Sequence, residues 1–263
     1  MPTPRSRPDP EPRRSGAPAR RRARGAGYPR GEDTRARLIA AGLDVFGSHG
    51  YGGASTRMLA DRAGVSLPAL QYYFGGKEGA YLACAAHIAA QLQAHLGPAL
   101  DRIDGALAQS ELGRADALAT LLGFVDGFAA LFLGDHELDT WVLFIIREQA
   151  HPTAAFDLLF ERVMRRVVQT VGALVARLIE RPADDPQTRL RTLALLGQII
   201  FFRTGRAAVL RVMGWTDFGA ARLKMAQAAL RLQITAALGG TPPPRVAPRS
   251  TPRSRPGPSS RSR

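Results

Sequence analysis

Between Gly50 and Glu78 the chain carries two short amphipathic segments around one glycine corner, closed by an aromatic triplet and a lysine. Ser55 or Thr56 is placed to cap a first helix from about Thr56 to Ala63, because a hydroxyl accepts from an unpaired backbone N–H at a helix start. Leu59, Ala60 and Ala63 share one face of that helix, and Ala60 is small enough to admit a close neighbour. Gly64 stops the helix, since a left-handed cap costs glycine no steric penalty. Val65 plugs the corner, Ser66 caps the next helix, and Pro68 suits a first turn, where its missing N–H is not needed. The second helix is predicted over about Leu67 to Phe74. Two short helices at such a corner form a helix-turn-helix, the shape that lays its second helix in the major groove of double-stranded DNA.

In that docking the start of the second helix meets base edges and its flanks meet phosphates. Ser66, Leu67, Ala69 and Gln71 are the candidate base readers, with Gln71 suited to adenine, and Pro68 belongs to the same DNA-binding set. Ser55, Thr56 and Arg57 at the first helix, and Tyr72, Tyr73 and Lys77 after the second, complete the candidate DNA-binding set. Core packing is the competing role for the aromatics, and the expected one for Phe74; a solvated surface charge is the competing role for Lys77.

With Arg37-Leu38-Ile39-Ala40-Ala41 and Phe46 upstream, this segment resembles the N-terminal domain of the TetR family of bacterial transcriptional regulators. The shared pattern is a first helix ending in Phe-x-x-x-Gly-(Tyr/Phe), then the helix-turn-helix, then an aromatic cluster and Lys-(Glu/Asp). Phe46, Gly50, Tyr51, Gly64, Val65, Ser66, Tyr72, Tyr73, Phe74, Lys77 and Glu78 fit it. Gln71 departs from it, standing where many relatives carry tyrosine, which favours a base contact there over a backbone one. Further on, Arg147-Glu148-Gln149 with Pro152-Thr153-Ala154-Ala155, Leu195-Leu196-Gly197-Gln198-Ile199 with Phe202-Arg203 and Gly205, and Arg211 with Gly214-Trp215-Thr216 resemble the C-terminal domain of the CecR-like (YbiH-like) branch. The resemblance spans most of residues 31–238. It implies a repressor or dual regulator of genes for efflux or toxic-compound sensitivity.

The formal net charge of +14 over 263 residues invites a general polycation reading. Its distribution argues otherwise. Residues 1–30 hold nine arginines against Asp9 and Glu11, and residues 239–263 hold six arginines and no acid, which leaves residues 31–238 at a net +1. Both ends are rich in Pro, Ser and Gly, the composition of disordered tails. They either add salt-sensitive, non-specific DNA affinity or have drifted without a role. No apolar stretch follows the N-terminal arginines as in a signal peptide, and none approaches the ~18 uninterrupted apolar residues of a membrane span. Cys84 is the single cysteine, which excludes an intramolecular disulfide and fits a cytoplasmic protein; packing is its expected role.

The remainder predicts an all-α protein. Helices are expected over about 78–96, ending at Gly97-Pro98, then 99–109, 115–133, 138–150, 153–181 and 187–213. In the fifth of these, Phe156, Leu159, Phe160, Val163, Val167, Val171, Leu174 and Leu178 make an apolar stripe opposed by charge. The last is apolar nearly all round at Leu193–Phe202, so its second face calls for a partner; a two-fold homodimer reading a palindromic operator is the economical answer, a central helix of a monomeric bundle the alternative.

The resulting organisation is a tail (1–30), a three-helix DNA-binding head (31–78), a helical effector-binding and dimerisation body (79–238) and a second tail (239–263). A small-molecule effector site is sought where aromatic and polar groups converge: Phe124, Phe128 and Phe132 along one helix face, with Trp141, Phe144, Arg147, Glu148, Gln198 and Arg203. An aromatic core stripe and an Arg147–Glu148 structural pair are the competing readings. The helix from 78 to 96 is the expected lever between effector and head. An enzyme is the second class, and a DNA-compacting polycation the third. No phosphate loop, nucleophile elbow, cysteine pair or two-histidine metal motif supports catalysis, a cofactor or a metal. His87 and His95, eight apart, share a helix face that is able to bind a metal or ligand, although partial exposure or packing is the commoner fate of such pairs.

Overall fold

The computed structural model describes residues 29–134 and 138–239; the expectations for the two arginine- and proline-rich tails concern residues that lie outside the described ones. Among the described residues all regular structure is helical.

Three helices form the head: α1 (Pro29–Gly53), α2 (Thr56–Ala63) and α3 (Leu67–Phe74). Leu38 and Phe46 from α1, Leu59 from α2 and Leu70 from α3 are each at most 2% exposed and meet in one core. A leucine or phenylalanine buried this fully contributes about 1.5–3 kcal/mol. Ser55 caps α2 by accepting from the Met58 N–H at 3.2 Å, and Ser66 caps α3 by accepting from the Ala69 N–H at 3.4 Å. Gly64 closes α2 in the left-handed conformation.

The body begins with α4 (Lys77–Leu107), which runs straight through the expected stop at Gly97-Pro98. Leu92, Leu96, Leu100 and Ile103 are all buried on one side of it, so burial before and after Pro98 outweighs the one hydrogen bond that proline removes. Then come α5 (Arg114–Gly134) and α6 (Leu138–Ala150). The helix expected over 153–181 is interrupted: α7 (Ala154–Leu159), capped by Thr153, passes through a π-helical turn (Phe160–Met164) into α8 (Arg165–Ile179). Gln93 Nε2 of α4 donates to the Arg162 carbonyl in that turn at 2.8 Å, satisfying backbone where the ordinary pattern is broken. The helix expected over 187–213 is two helices, α9 (Pro186–Thr204) and α10 (Arg206–Met213), bent by 77° at Gly205. A Cβ there would lie 3.0 Å from the Phe201 carbonyl and 3.1 Å from its ring, so a side chain at this position would require Phe201 to give way. The chain ends its described part in α11 (Ala220–Gly239), which the sequence reading did not single out.

Helix α5 is long and apolar enough to cross a membrane. Its surroundings are protein: it packs on α4, α8, α9 and α11, and Ala117, Leu121, Val125 and Ala129 have no exposed surface. On α9, Leu195, Leu196 and Ile199 are buried while Leu190, Leu193, Ile200 and Phe201 on the other face are exposed. Helix α11 repeats this division, with Ala226, Leu230, Ile234 and Leu238 buried and Met225 and Leu232 exposed.

Candidate nucleic-acid interface

Helix α3 turns Leu70 into the head and leaves Ser66, Leu67, Pro68, Gln71 and Tyr72 in solvent, with Ala69 half-buried beside them. Leu67 is 47% and Tyr72 84% exposed, large apolar surfaces that the fold itself does not use. Tyr73 and Phe74 are half-buried against the core; Phe74 also sits 5.7 Å below the Arg35 guanidinium. Gln71 does not point freely outward. Its Nε2 donates to the Gly75 carbonyl at 3.0 Å, so a base contact requires that bond to be exchanged. Arg57 is exposed and lies 3.9 Å from Asp61, while Ser55 and Ser66 use their oxygen lone pairs as caps and keep their O–H free to donate.

Arg37, which the sequence reading placed in the family pattern without a role, fixes the corner between α2 and α3. Its Nη2 donates to the Ala63 carbonyl at 2.5 Å and to the Gly64 carbonyl at 3.0 Å. These are carbonyls that a helix end leaves unpaired. Nothing in local spacing distinguishes Arg37 from its neighbours Arg35 and Arg57, because its partners are 26 and 27 residues away.

Behind this face lies the joint with the body. Lys77 Nζ rests 4.5 Å over the Tyr51 ring, Tyr51 is 5.0 Å from Tyr81, and Tyr81 stacks on Phe144 of α6 at 4.5 Å. The Tyr81 hydroxyl donates to Glu148 at 2.6 Å, and Glu148, 2% exposed, also accepts from the Thr153 N–H at 3.0 Å and the Thr153 hydroxyl at 2.9 Å. Burial, and then the Glu148 hydrogen bond, push the Tyr81 phenol far above its ordinary range, so it serves as a fixed donor. Burial likewise pushes the Cys84 thiol up to about 12, in keeping with a packing role.

Arg147 and Glu148 are therefore not each other's partners. Arg147 Nε and Nη2 donate to the Gly47 and Ser48 carbonyls at the end of α1, at 3.3 and 3.1 Å. Gly50, with φ of 70°, gives Arg147 its room: a Cβ there would lie 2.8 Å from Nη1.

The structure does not bring the expected effector residues together. Phe124 and Phe128 are buried and stack at 5.4 Å, with Phe132 4.5 Å from Phe128, so the stripe is packing surface. Trp141 faces the His87 ring at 6.1 Å, Phe144 belongs to the joint, and Gln198 borders the exposed strip of α9. Arg203 lines a separate recess of about 320 Å³ between the ends of α5 and α9 and the start of α11. His87 and His95 do not form a site: His87 is half-buried against Trp141, and exposed His95 bonds the Gln91 carbonyl at 2.8 Å. Among the described residues no three His, Cys, Asp or Glu side chains gather as metal ligands.

Residues 38–84 match the family model of bacterial regulatory proteins of the tetR family, and residues 117–241 match that of the C-terminal domain of the HTH-type transcriptional dual regulator CecR. The chain is 34% identical to that dual regulator from Shigella flexneri over 211 residues, 80% of this chain and 94% of the relative. The chain belongs to the TetR family. Solved structures similar to this TetR-family protein share its fold at low identity. A transcriptional regulator from Pseudomonas aeruginosa PAO1 matches with a TM-score of 0.57 at 18% identity, over 80% of this chain and 92% of the other. AibR, crystallised with isovaleryl coenzyme A and operator DNA, matches with a TM-score of 0.57 at 11% identity, over 76% and 97%. The TetR-family chain is a DNA-binding transcriptional regulator of the ligand-responsive kind, and α2 and α3 are its helix-turn-helix.

Proposed function

We propose that the chain is a homodimeric repressor whose heads, residues 31–78, occupy the two halves of a palindromic operator in the cytoplasm, and whose body, residues 79–238, releases them when a small molecule binds. The observation that carries this reading is the outer face of α3, where Leu67 and Tyr72 stand in water beside Gln71 while Leu70 anchors the helix from behind. In this reading Ser66, Leu67, Ala69 and Gln71 face bases with Pro68 beside them, and Ser55, Thr56, Arg57, Tyr72 and Tyr73 face phosphates, as does Lys77 once it exchanges its place over the Tyr51 ring. Control of efflux or toxic-compound sensitivity genes is the regulatory role proposed with it.

Dimerisation is supported by the second apolar face of α9. Leu190, Leu193, Ile200 and Phe201 recur at helical spacing with Gly197 between them, a strip able to pack on its own symmetry copy. Helix α11 also exposes Met225 and Leu232, and Arg191 ties the start of α9 to the Ala237 carbonyl of α11 at 3.4 Å.

Release needs an effector that binds the DNA-incompetent arrangement better than the competent one. The lever in this proposal is α4 together with α6, because α6 holds the end of α1 through Arg147. Footprinting of the promoter region beside its own gene, with the full chain and with residues 1–28 and 240–263 deleted, tests the reading. Two protected half-sites about one helical turn apart, surviving the deletions, are expected; protection that vanishes with the tails overturns it in favour of a polycation.

A further inference from the structure

The recess beside α5 carries the combination of groups that an acidic amphiphile needs. Its floor is apolar, with Leu133 at the end of α5, Phe218 in the connection before α11, and Leu223 on the first turn of α11. Its rim is cationic. Arg203 is 6% exposed and already has a partner of its own, while Arg206 lies with its guanidinium 5.1 Å over the Phe218 ring, and among the described residues no carboxylate pairs with it. Among the described lining residues the acid is Asp217, and it is committed elsewhere: it accepts from the Gly219 N–H at 2.6 Å and pairs with Arg222 at 2.8 Å. The twenty-residue helix α11 begins at the same rim, with Ala220 in the lining, and so adds the positive end of its dipole.

We propose that this recess is the effector site and that it takes a compact monocarboxylate with a short apolar body, its carboxylate held by Arg206 at the start of α11 and its body laid over Leu133 and Leu223. The volume, about 320 Å³, lies near the lower end of the ~300–1,000 Å³ range of small-molecule pockets and suits a compact ligand. The guanidinium offers a planar pair of donors that suits a carboxylate better than a hydroxyl or an amine. The position gives binding a consequence. Helix α5 ends at Gly134 in the wall, and the next helix in the chain is α6, whose Arg147 holds α1. This role for the recess rests on the effector-released reading above; the binding chemistry does not.

The test is calorimetric titration of the full chain with sodium octanoate, octylamine and octanol, alongside Arg206→Gln and Ala220→Trp, with circular dichroism to confirm that both variants fold. Ala220 is exposed at the mouth, so a tryptophan there fills the recess without entering the core. Saturable octanoate binding is expected, weakened on the order of tenfold by Arg206→Gln and abolished by Ala220→Trp, with octylamine and octanol inert. Octanoate binding unchanged in both variants, octanol or octylamine binding as tightly as octanoate, or no binding by any of the three overturns the proposal. The same samples on operator DNA separate the two readings: octanoate that binds as described and leaves operator occupancy unchanged supports the site and overturns effector release.

Discussion

The outer face of α3 and the joint that α1 makes with α4 and α6 of the body are built on opposite terms. On α3, Leu67 and Tyr72 face water and Gln71 is held only by a bond within its own turn. At the joint, Glu148 is 2% exposed and meets three donors, and Arg147 meets two carbonyls. A surface that folding leaves unused is available for a partner, whereas a surface satisfied from within sets geometry. Substitutions in the two places should therefore separate affinity from stability.

The largest effect on stability is expected at Glu148. Glu148→Ala strands the Tyr81 hydroxyl in a buried site and removes the acceptor of the part-buried Thr153 N–H, at a cost on the order of 2–4 kcal/mol. Tyr81→Phe removes one donor and leaves the carboxylate its other two, so about 1 kcal/mol is expected. Urea denaturation measures both, and equal midpoints for Glu148→Ala and the parent would show that the joint is not the stabilising element described.

At the α3 face the pattern should invert. Tyr72→Ala and Leu67→Ala remove exposed side chains and should change stability by less than ~0.5 kcal/mol. Operator affinity should fall on the order of tenfold or more, as expected when groups at base edges and phosphates are lost. Fluorescence anisotropy at fixed salt checks this; parent-like affinity in both folded variants would remove α3 from the interface.

The α3 face was legible in the sequence because its determinants are local. Capping serines, one glycine corner and a proline in the first turn all lie between Ser55 and Pro68, and the α2 and α3 bounds follow from them. The joint was not, because Arg147 reaches carbonyls 99 and 100 residues away and Glu148 reaches Tyr81 across 67. Sequence showed Arg147-Glu148 as neighbours of opposite charge, and only packing shows them turned to different partners. Proline misled at Pro98 for a related reason, since buried leucines on both sides hold α4 together. Helix α11 was readable in principle: Ala226, Leu230, Ile234 and Leu238 recur every four residues and all are buried. The recess was not legible either, because its lining comes from α5, α9, α10 and α11 and from the connection before α11, far apart in the chain.

Arg147 sits between the two regimes. It is exposed along its length but spans head and body, so Arg147→Ala should cost at most about 1 kcal/mol of stability. Operator affinity should drop several-fold, because two heads with freer angles pay more ordering entropy on docking. Spin labels on the two heads should report a broadened distance distribution. Gly50→Ala should reproduce that broadening, as its side chain would displace the guanidinium. Unaltered distances in both variants would leave α4 as the lever without α6.

The smallest effect separates the two regions by pH. His87 of α4 lies at the edge of the joint, half-buried against Trp141 of α6, with Arg35 of α1 nearby. Burial, and then the Arg35 charge, hold its pKa below the ordinary 6.5. The sign follows from proton counting: below pH 6.5 the unfolded chain takes up a proton that the folded ring resists, so unfolding is favoured as pH falls through that value toward the lowered one. Above pH 6.5 both states are neutral there and the effect vanishes. Water screens a half-exposed ring, so the loss should stay below ~1 kcal/mol. Urea midpoints of the parent should decline between neutral pH and pH 5 more steeply than those of His87→Gln, whereas Tyr72→Ala should follow the parent's slope. Parallel slopes for the parent and His87→Gln would mean that protonation does not distinguish the joint from the α3 face.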